Sequence, residues 1–141
     1  MDGIKSVLAL NHLVFDHLSF RRKGFKNENE LKFSFGFRVD IQSETQFVSH
    51  VRVVGTKEEE YEFTVEASGY FTIQGTPVDL TTEQKPVGID ILSKQNATAI
   101  IFPYIRSQIS LLTAQPELEP VILPPLNIGA MVTQAEQEHN Q

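Results

Sequence analysis

The sequence lacks several residue types and patterns, and each absence excludes a class of structure or chemistry. It has no cysteine, which excludes disulfide bonds, thiol catalysis and cysteine-ligated zinc. No apolar run approaches the roughly 18 residues that a membrane-spanning helix requires. The N-terminus also lacks the pattern of a signal peptide. We therefore expect a cytoplasmic protein without direct membrane insertion.

Positive charge is also scarce. The formal net charge of the chain is -6, and binding to nucleic acid is driven by lysine and arginine that neutralise phosphates. Nucleic acid is therefore not an expected partner, whereas an acidic surface suits solubility or basic partners. With 141 residues and 40% hydrophobic content, the chain is long enough for one domain with its own core, so we expect a single domain over residues 1–141.

Catalytic motifs are absent too. There is no glycine-rich phosphate loop, no nucleophile elbow and no His-Glu-x-x-His sequence. The best cluster of ionisable residues is His12, Asp16 and His17. Strand alternation places His12 and Asp16 on one face of the strand and His17 on the other. A metal or acid–base site needs convergence from several elements, so we interpret this group as a strand edge. The run at residues 58–60 is interpreted as a solvated turn, and neither catalysis nor a cofactor is expected.

Alternation of apolar and polar residues predicts an antiparallel sheet in the first half of the chain. Every second residue from Leu31 to Ile41 is apolar, and a second clean alternation runs from Tyr61 to Ile73. The segment at residues 47–54 either forms its own strand or continues the previous one past a bulge. Loose alternation of apolar residues over residues 4–20 predicts one long strand with a bend or bulge. Its predicted faces are Ile4, Leu8, Leu10, Val14, Leu18 and Phe20 on one side, and Val7, Leu13 and Phe15 on the other.

After residue 76 the spacing of apolar residues changes from a period of two towards a period of 3.6, which predicts helices. A short helix is expected at about residues 81–93, the main helix at residues 97–112, and a last helix after Asn127, with fraying from residue 134. Residues 55–60 are expected to form a turn, and Gly69 to mark a close approach. The predicted fold class is α+β, with an antiparallel meander or Greek key followed by helices.

The main helix is apolar around most of its circumference, and only the line Pro103, Arg106, Ser110 and Thr113 is polar. A face this wide must be covered on two sides, so we expect one side to lie on the sheet and the other on a partner. Pro103 removes one ladder hydrogen bond and predicts a bend. Residues 116–126, called the arm below, place apolar residues among four prolines. They either pack over the sheet or remain available to a client.

Four segments follow the order of landmarks in the SecB family of export chaperones. They are residues 18–20, residues 69–75, residues 96–106 with their Phe-Pro-Tyr sequence, and Leu-Pro-Pro-Leu-Asn at 123–127. The chain resembles this family over most of residues 4–132. The resemblance implies a four-stranded sheet backed by the long helix and a homotetramer built as a dimer of dimers. It also implies a holdase for unfolded or precursor polypeptides that needs no cofactor.

The resemblance and the pattern of apolar residues together assign expected roles to three groups. Client-binding candidates are Phe33, Phe35, Phe37, Tyr61, Phe63, Phe71, Leu118, Val121, Ile122, Leu123 and Leu126. Each also has an interpretation as a core residue, which we favour for the strand aromatics. Subunit-interface candidates are Ile101, Tyr104, Ile105, Gln108, Ile109 and Leu112. Residues that would face the export ATPase SecA are Asp16, His17, Glu62, Thr64 and Glu66.

This sequence departs from the family where SecA would dock. Two acidic positions of the family's docking surface align with His17 and Thr64, neither of which is acidic, although Glu62 and Glu66 flank Thr64 on the same face. We therefore expect weak or absent coupling to SecA. Two alternatives stay open: a chaperone dedicated to one client such as an antitoxin, and a non-catalytic adaptor oligomer.

Overall fold

The computed structural model describes residues 8–74, 78–79, 85–86, 95–123 and 128–139. Four long strands come first, then two strands of two residues each, then two helices. In chain order these elements are β1 (Leu8–Arg22), β2 (Leu31–Ile41), β3 (Gln46–Lys57), β4 (Tyr61–Ile73), β5 (Val78–Asp79), β6 (Lys85–Pro86), α1 (Ala97–Thr113) and α2 (Ile128–His139).

The long strands form one antiparallel sheet in the order β1-β4-β3-β2. Strands β2, β3 and β4 follow one another as neighbours, and β1 pairs with β4, which is a Greek-key arrangement. The predicted four-stranded antiparallel sheet is confirmed, and the choice left open between meander and Greek key is decided. Residues 46–57 form a separate strand, because amides of Gln42 and Ser43 bond the carbonyl of Gln46 and close a hairpin.

Strand β1 contains two bulges, one after Leu10 and one after Phe15. Each extra residue reverses the side to which the following residues point. Leu13 therefore pairs with Gly69 and Phe15 with Ala67 on the core face, whereas Val14 pairs with Ser68 on the opposite face. The predicted division of β1 into two faces is wrong for these three residues, because simple alternation does not count bulged residues.

Two glycines make room for side chains of the core. A Cβ at Gly55 would lie 2.2 Å from the ring of Phe63. Gly55 lies inside β3, so its predicted place in the turn is wrong. The turn itself is limited to residues 58–60. A Cβ at Gly69 would lie 2.7 Å from Phe71 Cε2 and 2.8 Å from Ile101 Cδ1. The predicted close approach at Gly69 is therefore confirmed, and it is the approach of α1 to the sheet.

Helix α1 covers one face of the sheet, called the core face; the opposite one is called the outer face. Its stripe of apolar residues is buried against alternate residues of β3 and β4. The fully buried members include Phe47, Val51, Phe63, Val65, Phe71, Ile101, Ile105 and Ile109. Pro103 lies within α1 on its exposed side, and the expected bend stays a prediction.

The segment between the sheet and α1 differs from the sequence prediction. Val78 pairs with Pro86 and Asp79 with Lys85, so the helix predicted at residues 81–93 is wrong at Lys85 and Pro86. Proline has no amide hydrogen and suits the end of a short edge strand. Helix α2 is confirmed, and it extends to His139, into the segment expected to fray. No helix in the described part of the chain is long and apolar enough to cross a membrane.

Candidate functional site

The arm lies along the polar line of α1. Thr113 Oγ1 accepts a hydrogen bond from the Val121 amide at 2.7 Å, and Ser110 Oγ donates to the Val121 carbonyl at 2.8 Å. Arg106 Nε donates to the Leu123 carbonyl at 3.0 Å. The polar line therefore binds the main chain of the arm and does not simply face solvent.

The beginning of the arm is held by β1 and the loop that follows it. The Arg22 guanidinium donates to the carbonyls of Pro116 and Glu117, at 3.0 and 3.4 Å. Lys26 Nζ lies 2.9 Å from Glu119 Oε1, and this hydrogen-bonded pairing raises the pKa of Lys26 and lowers that of Glu119. Both side chains are exposed, so the pair is accessible and screened by salt.

Two cavities flank the Lys26–Glu119 pair. The first has a volume of about 520 Å³ and is lined by Arg22, Phe25, Lys26, Glu117, Leu118 and Glu119. The second, of about 260 Å³, is lined by Lys26, Asn29, Leu31, Lys57, Glu60, Tyr61, Glu119, Pro120 and Val121. The two ionic side chains line both cavities.

Exposed apolar side chains line two of the cavities beside the arm. Phe25 lines the first cavity and is 77% exposed, with the Arg22 guanidinium 5.5 Å from its ring centre. Ile122 is 78% exposed and lines a further cavity of about 260 Å³ together with Pro103 and Arg106. Leu118 and Val121 are half-buried against the core, and Leu123 is buried. The described part of the arm therefore packs on the core with Leu118, Val121 and Leu123 and leaves Ile122 exposed. Leu126 lies outside the described residues.

The aromatic client candidates on the strands divide into core and surface. Ring contacts at 5.6 to 6.2 Å link Phe20, Tyr61, Phe63 and Phe33 across the sheet. Tyr61, Phe63 and Phe71 are buried, so they present no surface to a client, and this part of the expectation is corrected. Phe33 is 46% exposed on the edge strand, and Phe35 and Phe37 are half-buried beside it.

The expected SecA-facing residues share the outer face. Register places Glu62, Thr64 and Glu66 of β4 there, opposite Arg21, Ser19 and His17 of β1. Lys23 Nζ lies 3.2 Å from Glu62, and Arg52 Nε lies 3.1 Å from Glu66. Both carboxylates therefore have a cationic partner, which weakens the negative field of this face.

A polar relay crosses all four strands on the outer face. Asp40 Oδ2 on β2 lies 2.9 Å from His50 Nε2 on β3, and His50 Nδ1 lies 2.7 Å from Ser68 Oγ on β4. Ser68 in turn donates to the carboxylate of Asp16, the bulged residue of β1. A cavity of about 420 Å³ lies beside the relay and is bordered by Arg38, Arg52 and Glu66.

The relay has the order of a Ser-His-Asp triad but not its chemistry. Ser68 is 1% exposed and gives its hydrogen to Asp16, so its oxygen is not available as a nucleophile. His12 and His17 also point to the outer face, because the bulge at Asp16 turns His17 towards the side of Glu66; the opposite placement predicted for His17 is wrong. Among the described residues, no three His, Asp or Glu side chains are grouped to hold a metal ion.

A sequence model of the family described as Preprotein translocase subunit SecB matches residues 17–139. The chain belongs to the SecB family. The SecB-family chain is also 23% identical over 144 residues to Uncharacterized protein MJ0357 of Methanocaldococcus jannaschii, a match that covers 94% of this chain and 87% of that protein.

Two solved structures share the SecB-like fold. One is the Mycobacterium tuberculosis Rv1957 SecB-like chaperone in complex with a ChAD peptide from the Rv1956 HigA1 antitoxin. It has a TM-score of 0.64 and 14% identity, over 85% of this chain and 88% of that one. The other is a protein of unknown function from Streptococcus agalactiae, with a TM-score of 0.56 and 13% identity, over 88% of this chain and all of that one. At these identities the likeness shows the fold alone.

The expected subunit interface of this SecB-family chain needs correction. Ile101, Ile105 and Ile109 are fully buried against their own sheet, so they have no surface to offer a second subunit. Tyr104 is exposed, Gln108 and Leu112 are half-buried, and Leu111 is 68% exposed. The free face of α1 is therefore centred on Tyr104, Gln108 and Leu111.

Sequence reasoning missed the role of Glu60, which was interpreted as part of a solvated turn. Its side chain is 2% exposed and accepts hydrogen bonds from Lys57 Nζ at 2.8 Å and the Asn27 amide at 3.0 Å. Burial by itself raises the pKa of Glu60, but these hydrogen bonds outweigh it and the net shift is downwards. Lys57 lies only three residues away, but Asn27 belongs to a distant loop, so no local signal predicts that Glu60 is buried.

Proposed function

We propose that this SecB-family chain is a cytoplasmic, non-catalytic holdase that binds non-native polypeptides. The observation that carries the proposal is the arm, whose main chain is fixed on α1 while Ile122 stays exposed and lines a cavity of about 260 Å³ with Pro103 and Arg106. Exposed apolar side chains next to grooves suit a binder of many extended sequences. The family membership supports the same role.

The test is suppression of aggregation of a chemically denatured protein at stoichiometric concentration. We expect the wild type to suppress light scattering and Ile122→Ser to be several-fold weaker with unchanged thermal stability. The matched control is Ile41→Ser, which also removes an exposed isoleucine. Ile41 is the last residue of β2, whereas Leu31 at the other end of that strand lines a cavity with Val121 of the arm. Equal behaviour of the two variants would remove the arm from the client surface. A wild type that suppresses nothing would favour the adaptor oligomer.

A dedicated chaperone is the second candidate. Its support is the shared fold with the M. tuberculosis SecB-like chaperone, whose structure contains an antitoxin peptide. Competition separates the two functions. A general holdase is displaced from one unfolded polypeptide by any other at similar concentration, whereas a dedicated one is displaced only by its own client.

We further propose that coupling to SecA is weak or absent. On the outer face His17 and Thr64 occupy the positions of expected acidic residues, and Glu62 and Glu66 are paired with cations. Electrostatic docking depends on the field of the whole surface. Titration calorimetry with SecA tests this. Submicromolar binding that Glu62→Lys and Glu66→Lys abolish would overturn the proposal.

A further inference from the structure

The hydrogen bonds between α1 and the described part of the arm use only main-chain atoms of the arm. The amide and the carbonyl of Val121 bond Thr113 and Ser110, and the carbonyl of Leu123 bonds Arg106. In an extended strand, the amide and the carbonyl of one residue point to the same side and can both bond a neighbour. Val121 presents its main chain to α1 in this way. Such contacts do not depend on the side chains of the bound segment.

The side chains of the arm follow the same alternation. Val121 and Leu123 point towards the core, and Ile122 between them points to solvent. Arg106, Ser110 and Thr113, called the track below, therefore accept an extended segment with apolar residues at positions i and i+2. The residue between them is unrestricted. Many unfolded polypeptides contain such a segment.

The arm is built as a segment that can leave the track. It has no helix or strand over residues 116–123, and the proline at 120 keeps Glu119 extended without an internal hydrogen bond. Its beginning is held by the exposed Lys26–Glu119 pair and by Arg22. Exposed ion pairs contribute little stability and weaken with salt.

From these contacts we infer that the track is a binding site for an extended apolar segment of a client, and that the arm occupies it until a client replaces the arm. The inference rests on the proposed holdase function and adds the place and mode of binding. In the absence of a client, the arm covers the apolar floor beneath Val121 and Leu123.

The experiment measures binding of dye-labelled, reduced and alkylated lactalbumin by anisotropy at low salt. Lys26→Glu and Glu119→Lys each break the ion pair but change the net charge in opposite directions. The double variant restores a pair of reversed polarity and the original net charge. We expect each single variant to bind three- to ten-fold more tightly and the double variant to return to the wild-type value.

Hydrogen exchange of the Val121 amide provides a direct readout. We expect this amide to exchange faster in each single variant, and faster in the wild type when the client is bound. Equal affinities in all four proteins, with Val121 still protected in the complex, would overturn the inference and leave the holdase proposal standing. Absence of binding by all four proteins would overturn both.

Discussion

Ser68 is a buried hydroxyl on the outer face of the sheet. It joins His50 on β3 to Asp16 on β1, and through His50 it reaches Asp40 on β2. Buried polar groups cost stability unless each has a partner, so a relay of this kind is sensitive to the loss of one member. Its middle residue is therefore where a small substitution has the largest effect.

Ser68→Ala tests this. We expect the free energy of unfolding to fall by about 1–3 kcal/mol, because His50 Nδ1 and the Asp16 carboxylate both lose a partner. Urea denaturation monitored by circular dichroism measures the change. Ser34→Ala removes an exposed serine from the same face and should change stability by less than about 0.5 kcal/mol. Similar effects of the two substitutions would show that the relay adds nothing.

Glu60 links stability to pH. Because its pKa in the folded state is below the usual glutamate value of 4.5, its charged form stabilises the fold above that pH, and this contribution is lost as the pH falls through the folded pKa. Glu60→Gln should cost about 1–3 kcal/mol at pH 7. The difference from wild type should shrink below about pH 4.5. A difference that does not depend on pH between 7 and 3.5 would contradict this account.

At the scale of elements, the packing of α1 on the sheet depends on Gly69. An alanine Cβ there would lie 2.8 Å from Ile101 Cδ1, and the same change at Gly36 meets nothing within 4 Å. We expect Gly69→Ala to lower the midpoint of urea denaturation by an amount equivalent to about 1–3 kcal/mol. Gly36→Ala should change it by less than about 0.5 kcal/mol. Equal midpoints would mean that α1 shifts away at no cost.

At the scale of the whole molecule, we propose that the free face of α1 joins subunits in a tetramer. Leu111→Asp places a charge on that face, and an unpaired charge in an interface is costly. We expect sedimentation velocity to show an oligomer for the wild type and smaller species for Leu111→Asp at the same concentration, with unchanged circular dichroism. Ser34→Asp, on the outer face, is the control. A wild-type monomer at micromolar concentration would exclude the tetramer.

The elements of this fold could be predicted because their signals are local. Alternation from Leu31 to Ile41 and from Tyr61 to Ile73 follows the strand period, and the apolar stripe of α1 follows the helix period. The faces of β1 could not be predicted, because a bulge is set by pairing with β4. The prediction put Gly55 in a turn for a similar reason, because the Phe63 ring that it accommodates belongs to the neighbouring strand.

The sequence by itself determined strands β1, β2 and β4, the main helix, the SecB resemblance and the apolar character of the arm. These properties rest on periodicity and on the order of segments, which need no knowledge of neighbours. Tertiary structure alone decided that Glu60 is buried, that Ser68 joins His50 to Asp16, and that the polar line of α1 holds the arm. Each of these pairs residues distant in the chain, because burial and hydrogen-bond partners are set by packing and not by local spacing.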